Sequence, residues 1–351
     1  MTKVLHIITD TTIGGSTHHL LALLDAMDSK FVPEVILPTG SRLANILDAK
    51  GITYHTIANI AVKDIVRIVR AVKPNVVHSH GCAPGIIAAR KYGRCKIITT
   101  MHHTPTVSIF RKIFPFSLFS PFKSCDAIIA TSPHMPNGLV KAGAKKDRIH
   151  VIQNGMPPAR SYSPVEKDEI RSKYNIPADA FVVAYVSRLG EAKGHDFMLD
   201  TAKELPFNVI TLFVGDGEQE AHLRARVQKE NLANVKMLGF IKDVDEIFAI
   251  MDIQVNAAQV QESVSLSLLF GMSVGKPAVV TNGTGNANVI SDGENGLVVP
   301  YQDTVALDDA ITRLKDDPGM YKTLSQGALD RYNSSFTATG MAQATAKLYS
   351  Q

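Results

Sequence analysis

The sequence contains no tryptophan and only three cysteines among its 351 residues. Cys82, Cys95 and Cys125 are odd in number, scattered, and without a C-x-x-C spacing. This pattern argues against a disulfide framework and against a thiolate zinc site, and it fits a reducing compartment. We therefore expect a cytoplasmic protein.

The sequence also lacks long apolar runs. None approaches the roughly 20 residues that a membrane-spanning helix needs. The opening residues, MTKVLHIITDTT, hold a short apolar run that predicts a buried strand rather than a signal peptide. The formal net charge is only +4, so charge alone gives no reason to expect a nucleic-acid partner.

Short apolar runs separated by helical patterns recur along nearly the whole chain. The first half holds VLHIIT, PEVILP, NVVHSH, KIITT, DAIIATS and IHVIQN. The second half holds FVVAYVS, NVITLFVG, NVKMLGF, DIQVNA, PAVVTN and GLVVP. Such runs predict parallel strands that are covered by helices on both faces.

A break rich in proline and serine, NGMPPARSYSPVEKDEI, separates the two halves. We predict an α/β fold of two Rossmann-like, doubly wound parallel-sheet domains that face each other across a cleft. The first domain would span residues 1–160 and the second residues 161–334. A C-terminal helix within residues 335–351 would pack back on the first domain.

Polar clusters follow several of these strands, at GGSTHH, HSHG, TTMHHTP, SRLGEAKG and VGDGE. Ligands of open α/β sheets bind at the carboxyl ends of the strands. In SRLGEAKG, Arg188 and Lys193 stand five residues apart between a strand and a helix. Two such cations suit a diphosphate. The alternative is that they are two solvated charges at the start of a helix.

The stretch QESVSLSLLFGMSVGKPAVVT predicts a loop, a buried helix and a buried strand. Glu262 precedes the helix, and Val264, Ser265 and Leu266 lead into it. Their backbone N–H groups can hold a phosphate, while the carboxylate can accept hydrogen bonds from sugar hydroxyls. The alternative is that Glu262 is only a favourable acid at a helix start.

These stretches resemble the retaining glycosyltransferases of family 4, of the type that builds bacterial glycans. The resemblance rests on SRLGEAKG, VGDGE, SDGENGLVVP and the stretch above, with GGSTHHLLALL, NVVHSHG and TTMHH in the first half. It implies the GT-B fold, with the acceptor on the first domain and the nucleotide sugar on the second. It further implies transfer of a hexosyl unit to a hydroxyl of a glycan or lipid-linked saccharide. The configuration would be retained, without metal or further cofactor, and a UDP-sugar is the favoured donor.

The resemblance also implies roles for residues at matching positions. Arg188 and Lys193 would neutralise the donor diphosphate, and Glu262 would hold hydroxyls of the transferred sugar. The amides of Val264, Ser265 and Leu266 would touch phosphate or sugar. Gly14 and Gly15 would let the backbone of the first domain approach the donor, and His102 would lie beside the reacting carbon. Phe240 and Ile241 would form a wall of the base site. His19, His80 and His103 would contact the acceptor.

The sequence departs from the family pattern at Phe270, where the family has a second glutamate that holds the ribose. Phenylalanine accepts no hydrogen bond, so another group would hold the ribose, or the nucleotide would sit differently. Two other readings stay open. One is a sugar-nucleotide epimerase of the same fold, and the other is a catalytically weak saccharide-binding or partner protein.

Two further features concern metals and membranes. His78, His80, His102 and His103 suggest a metal cluster, but nearby acids and cysteines lack ligand spacing, so we predict no metal. Residues 63–96 carry eight cations against the single acid Asp64, and residues 108–124 mix five phenylalanines with cations. These two segments predict contact with an anionic membrane surface. The alternative for residues 108–124 is a loop and helix folded over the acceptor cleft, or core.

Overall fold

A computed structural model describes residues 1–103, 120–259, 264–283 and 285–351 of the chain. The chain separates into two compact units. Unit 1 comprises Met1–Gly155 and Ala338–Gln351, and unit 2 comprises Met156–Thr337. Within the described ranges, no helix combines the length and the apolar character that crossing a bilayer would require.

Unit 1 is built on a seven-stranded sheet in the order β3-β2-β1-β4-β5-β6-β7, with every described pair parallel. The strands are β1 (Thr2–Ile7), β2 (Phe31–Pro38), β3 (Tyr54–Ile57), β4 (Val76–His80), β5 (Lys96–Met101), β6 (Ala127–Ala130) and β7 (Ile149–Val151). Its helices are α1 (Gly15–Ala26), α2 (Leu43–Ala49), α3 (Val62–Val72), α4 (Ala83–Tyr92) and α5 (Met135–Lys141). A short 3₁₀ turn also occupies Pro121–Ser124.

Unit 2 is built on a six-stranded parallel sheet in the order β10-β9-β8-β11-β12-β13. The strands are β8 (Phe181–Val186), β9 (Val209–Val214), β10 (Val235–Gly239), β11 (Ile253–Asn256), β12 (Ala278–Thr281) and β13 (Gly296–Val299). The helices are α6 (Pro164–Lys173), α7 (His195–Ala202), α8 (Glu220–Lys229), α9 (Asp245–Ile250), α10 (Leu266–Ser273), α11 (Thr304–Asp316) and α12 (Pro318–Ser335).

The helix α13 (Ala338–Ser350) follows unit 2 in sequence but belongs to unit 1. Its buried residues Leu348 and Tyr349 pack against Val4 and Phe31 of the unit 1 sheet. Lys96 Nζ donates a hydrogen bond of 2.9 Å to the Leu348 carbonyl. The helix thereby covers part of one face of the sheet with apolar side chains.

The central strands are apolar on both faces because helices cover both sides of each sheet. All five residues of β4 and all six of β9 are buried. The prediction of two doubly wound α/β domains is confirmed. In each sheet the strand order reverses once, between β1 and β4 in unit 1 and between β8 and β11 in unit 2, and such switch points are where doubly wound sheets bind ligands.

Candidate functional site

The loops after β8, β9 and β11 form a pocket in unit 2 of about 320 Å³. Its walls are Arg188, Gly190, Glu191, Ala192, Lys193, Glu218 and Gln259. The pocket lies at the switch point of the sheet, where the strand order predicts a ligand. The structure therefore brings together the two cations that the sequence singled out.

The Arg188 side chain is 69% exposed, and its Nη1 lies 3.3 Å from Glu218 Oε2. Lys193 ends a short 3₁₀ turn, Glu191–Lys193, and its carbonyl accepts a hydrogen bond from the buried Tyr185 hydroxyl. That bond fixes the backbone from which the Lys193 side chain extends. An exposed arginine that faces a single carboxylate can exchange that partner for an anionic ligand at small cost.

Two glycines let the loops of this pocket approach their neighbours. Gly194 has φ +72°, and a Cβ there would stand 2.0 Å from the Ala257 carbonyl oxygen. Gly215 has φ +136°, and its Cβ would stand 2.0 Å from the Ser187 carbonyl oxygen. Both positions exclude any side chain, because the clash is with backbone and the conformation is left-handed.

The N-terminus of α10 lies within the same unit. The Ser265 N–H donates to Asn286 Oδ1 at 2.8 Å, so it is engaged within the protein. Val264 is buried, and Leu266 begins the helix, where the first N–H groups have no intrahelical acceptor. Asn286 is fully buried, and its Nδ2 has no hydrogen-bond partner among the described residues. The sequence alone gives no sign of this role for Asn286, because only the fold brings Asn286 beside the start of this helix.

The other predicted donor-site residues lie in different surroundings. Glu262 lies outside the described residues, as does most of the segment 108–124. Phe270 is partly buried in a core cluster of unit 2 and stacks on Phe248 with 5.6 Å between ring centroids. Ile241 packs against the same cluster, whereas Phe240 is 73% exposed.

In unit 1, the loop after β1 enters α1 through Gly14 and Gly15. A Cβ added to either glycine would have no atom within 4 Å, so both border open space. Gly14 is held by a reciprocal pair of hydrogen bonds with Thr17 Oγ1. Ser16 Oγ donates to Asp10 Oδ2 at 2.7 Å. These hydrogen bonds hold the loop in place, and its glycine backbone stays accessible.

Behind that loop, at the switch point of the unit 1 sheet, lies a histidine cluster formed by His6, His19, His78, His80 and His102. The ring centroids of His19 and His102 are 4.8 Å apart, and those of His78 and His80 are 4.4 Å apart. His6 of β1 pairs in register with His78 of β4, while α1 supplies His19 and the residue after β5 is His102. His103 is exposed and outside the cluster.

Hydrogen bonds satisfy some nitrogens of the cluster and leave others open. His78 Nδ1 lies 2.6 Å from Tyr349 Oη and its Nε2 lies 2.7 Å from Thr100 Oγ1, so both are satisfied. His19 Nδ1 lies 3.0 Å from Asn154 Oδ1. His80 Nε2 lies 3.2 Å from His6 Nδ1. The buried atoms without a partner among the described residues are His19 Nε2, His80 Nδ1 and His102 Nε2.

Burial keeps the cluster uncharged at neutral pH. Desolvation lowers the pKa of His6 and of His19 to about 3 and that of His102 to about 4. The same cause lowers the pKa of His78 and His80 well below the usual value, and the neighbouring imidazoles add to the effect. Neutral imidazoles offer one donor and one acceptor each, and they are metal ligands in this form.

Comparison with known proteins yields two family models that match most of the chain. Residues 13–160 match the model described as "Glycosyltransferase Family 4", and residues 166–331 match "Glycosyl transferases group 1". The first match covers the glycine loop and four histidines of the cluster, His19, His78, His80 and His102, whereas His6 precedes it. The second covers the pocket with Arg188 and Lys193.

Relatives and solved structures agree with these matches. EpsD of Bacillus subtilis is 26% identical over 286 residues, which cover 76% of this chain and 74% of EpsD. The UDP-Gal:α-D-GlcNAc-diphosphoundecaprenol α-1,3-galactosyltransferase of Escherichia coli is 25% identical over 267 residues, 72% of this chain and 69% of that enzyme. HepE of Anabaena in complex with UDP superposes over the full length of both chains with a TM-score of 0.85 at 20% identity. The chain therefore belongs to the glycosyltransferases, and its fold is GT-B.

Proposed function

We propose that the protein transfers a hexosyl unit from a UDP-sugar to a hydroxyl group of a glycan or lipid-linked saccharide, with retention of configuration. The observation that carries the proposal is that Arg188 and Lys193 line one pocket at the switch point of unit 2. An arginine fork beside a lysine point charge suits a diphosphate. HepE, which has the same fold, was crystallised with UDP and with UDP-glucose.

Negative charge grows on the diphosphate as its bond to the sugar breaks. Arg188, Lys193 and the first free N–H groups of α10 would stabilise that charge, so the chemical step needs no metal ion. For retention, the acceptor hydroxyl would attack from the side of the leaving group. A phosphate oxygen of the donor would take its proton, and no carboxylate nucleophile is required. Glu262 would hold hydroxyls of the transferred sugar, as the family resemblance implies.

Unit 1 would supply the groups near the reacting carbon and the acceptor. His102 is uncharged at neutral pH because burial lowers its pKa to about 4. A neutral imidazole can hydrogen-bond a sugar hydroxyl without adding positive charge where the transition state is itself cationic. His19 and His80 are only 2% and 3% exposed, so we propose that they position His102 and do not touch the acceptor. Direct contact with the acceptor would be made by His103.

Calorimetric titration with UDP, GDP and ADP tests the donor site. We expect UDP to bind, and Arg188→Ala or Lys193→Ala to weaken it by roughly 10- to 100-fold, because each removes a charged hydrogen bond. Lys203→Ala is the control, since Lys203 pairs with Asp200 and Glu230 on a different part of unit 2. Equal binding by all four proteins would show that the diphosphate site lies elsewhere.

Product analysis tests the reaction itself. With the donor identified, NMR of the product should show the anomeric configuration of the donor, and an inverted linkage would refute retention. Conversion of the nucleotide sugar without any acceptor would instead indicate an epimerase. Nucleotide binding without turnover would indicate the weak or inactive protein that Phe270 suggests.

We further propose that α3 and α4 of unit 1 lie against an anionic membrane, at the cytoplasmic face where lipid-linked acceptors would be met. On α3, Lys63, Arg67 and Arg70 recur at the spacing of one helix face, and all are exposed. On α4, Arg90 and Lys91 are exposed, followed by exposed Arg94. The isoleucines Ile60 and Ile87, each three residues before such a stripe, are 40% and 38% exposed. Each cation near an anionic surface contributes about 1 kcal/mol.

Co-sedimentation with vesicles tests this surface. We expect binding to vesicles of phosphatidylglycerol and phosphatidylcholine, and little binding to phosphatidylcholine alone. The double variant Arg67→Glu and Arg70→Glu should release the protein. The control is Lys145→Glu with Lys146→Glu, which reverses two exposed charges elsewhere on unit 1. Equal loss in both double variants would mean that only net charge matters and would refute a specific surface.

A further inference from the structure

We propose that His19, His80 and His102 of unit 1 bind a divalent transition-metal ion, with Zn²⁺ the best match. The three side chains come from α1, β4 and the residue after β5, and their ligand nitrogens all lie within 4.8 Å of one another. Tetrahedral Zn²⁺ with Zn–N bonds of about 2.0–2.1 Å needs nitrogens about 3.3 Å apart. The rings would therefore have to approach by at most about 1.5 Å.

The hydrogen-bond pattern of the histidine cluster singles out this triad. Each of the three residues has one buried ring nitrogen without a partner among the described residues. An unpaired buried polar atom costs about 1–3 kcal/mol, and coordination would remove that cost. A second geometric candidate, His6, His78 and His80, is less suitable. Both nitrogens of His78 already have partners, Tyr349 and Thr100, so metal binding there would break one of two short hydrogen bonds.

In two of the three histidines, His19 and His80, the second ring nitrogen has a hydrogen-bond partner, as metal-binding histidines require. The Asn154 side-chain oxygen can only accept, so the His19 nitrogen that faces it, Nδ1, carries the proton and Nε2 presents its lone pair. His80 Nε2 is likewise engaged by His6, which leaves the buried Nδ1 of His80 as the nitrogen available for coordination. Metal-ligating histidines nearly always have such a partner on the second nitrogen, because it fixes both tautomer and ring orientation.

The donor set indicates which ions would bind. Three neutral imidazoles without a carboxylate or thiolate suit Zn²⁺, Cu²⁺, Ni²⁺ and Co²⁺, and exclude Mg²⁺ and Ca²⁺, which prefer oxygen. Three protein ligands leave a fourth position for water. His102 is also the imidazole that we place beside the donor sugar, so metal binding would block that contact. The inhibition that follows rests on the proposed function, whereas metal binding itself does not.

Titration of chelator-treated protein with Co²⁺ and Zn²⁺ tests the site directly. We expect one equivalent of Co²⁺ to give the visible d–d absorption of a site with few ligands, and Zn²⁺ to abolish that absorption. His102→Asn should weaken Zn²⁺ binding at least about 100-fold, because one of three ligands is lost. Asn154→Ala should weaken it roughly 10-fold, since His19 loses the partner that orients it.

The matched control is His103→Asn, which removes the exposed histidine next to His102 and should bind metal as the wild type does. Circular dichroism of each variant checks that the fold is intact, and Asn154→Ala provides an independent measurement should His102→Asn unfold. Equal Zn²⁺ affinity in His102→Asn and His103→Asn would overturn the proposal, as would the lack of any Co²⁺ absorption at millimolar concentration. Because His102→Asn removes the group that we place beside the donor sugar, Asn154→Ala tests the overlap with the sugar site: Zn²⁺ should inhibit transfer by this variant only at roughly tenfold higher concentration than in the wild type, and equal inhibition of both proteins would contradict the overlap.

Discussion

The two units place chemically opposite groups at the same position of the same kind of sheet. At the switch point of unit 2, Arg188 is largely exposed and faces an open pocket. At the switch point of unit 1, five histidines are packed together and kept neutral by burial. Strand order selects the place for a ligand, and burial then decides whether that place attracts an anion or suits neutral hydroxyls and metal ions.

The largest effect on stability is expected at Gly194 of unit 2, a position that excludes any side chain. In Gly194→Ala, the new Cβ would stand 2.0 Å from a carbonyl oxygen at φ +72°. We expect the free energy of unfolding to fall by about 3 kcal/mol or more, because backbone must move. Gly14→Ala in unit 1 is the control, since nothing lies within 4 Å of its Cβ and it should change stability by less than about 0.5 kcal/mol. Thermal unfolding followed by circular dichroism measures both, and equal melting temperatures would contradict the clash.

A smaller effect on stability is expected from His195, a buried histidine of unit 2. Desolvation, with a contribution from Lys193, lowers the pKa of His195 to about 4. Between the unfolded value near 6.5 and this folded value, the unfolded chain binds the extra proton. Stability is therefore lost as pH falls through this window, by about 1.4 kcal/mol per pH unit.

His195→Gln removes this titration and can keep the hydrogen bond to Ser187 Oγ, which lies 3.1 Å from His195 Nε2. Urea denaturation at pH 7, 6 and 5 should give a shallower pH dependence for the variant than for the wild type. Parallel curves for the two proteins would mean that His195 has the same pKa in the folded and in the unfolded chain. Burial would then not act on this histidine of unit 2 as it does on the histidines of unit 1.

The next prediction concerns Phe270, which presents an apolar ring on α10. Phe270→Glu would offer a carboxylate to ribose hydroxyls, and we expect UDP to bind about tenfold more tightly, the gain of one modest hydrogen bond. Phe270→Leu is the control, because it changes the packing on Phe248 without adding an acceptor. Calorimetric titration with UDP measures the affinity of both variants. Tighter UDP binding in both would show that loss of the phenylalanine ring, and not a new hydrogen bond, causes the gain.

The smallest effect is expected at Glu218, which competes with a ligand for Arg188. Exposed ion pairs contribute at most about 1 kcal/mol, so Glu218→Gln should tighten UDP binding by no more than about fivefold. Glu191→Gln provides the comparison, since Glu191 lines the same pocket and the change in charge is the same. If both variants bind UDP with equal affinity, the total negative charge of the pocket sets that affinity, and the contact between Glu218 and Arg188 has no separate effect.

Much of the fold was predictable because its strands are short, apolar and separated by helices. Twelve predicted runs correspond to strands of the two sheets, and the exception is β3, Tyr54–Ile57. This strand has four residues, and His55 and Thr56 interrupt its apolar pattern. It lies at the edge of the sheet, where one side needs no apolar partner, so its sequence carries a weak signal.

The candidate sites were predictable only in part. Arg188 and Lys193 follow a recognisable strand and lie close in sequence, so their proximity could be inferred from the fold class. The meeting of His6 with His78 and His80 depends on β1 lying beside β4, which no local pattern encodes. The bond between Ser265 and Asn286 likewise joins residues 21 positions apart, one at the start of α10 and the other in the short 3₁₀ helix Gly285–Asn288.

The helix α13 has a consequence for the order in which the protein is made. Ribosomes deliver residues 1–155 first, but the hydroxyl of Tyr349 that completes His78 emerges only after all of unit 2. During that interval the apolar side chains that α13 will cover, such as Val4 and Phe31, lack this cover, and His78 Nδ1 lacks its protein partner. Unit 2, whose elements are continuous in sequence, can close as soon as it has been translated. Unit 1 therefore starts to form before unit 2 but is completed after it.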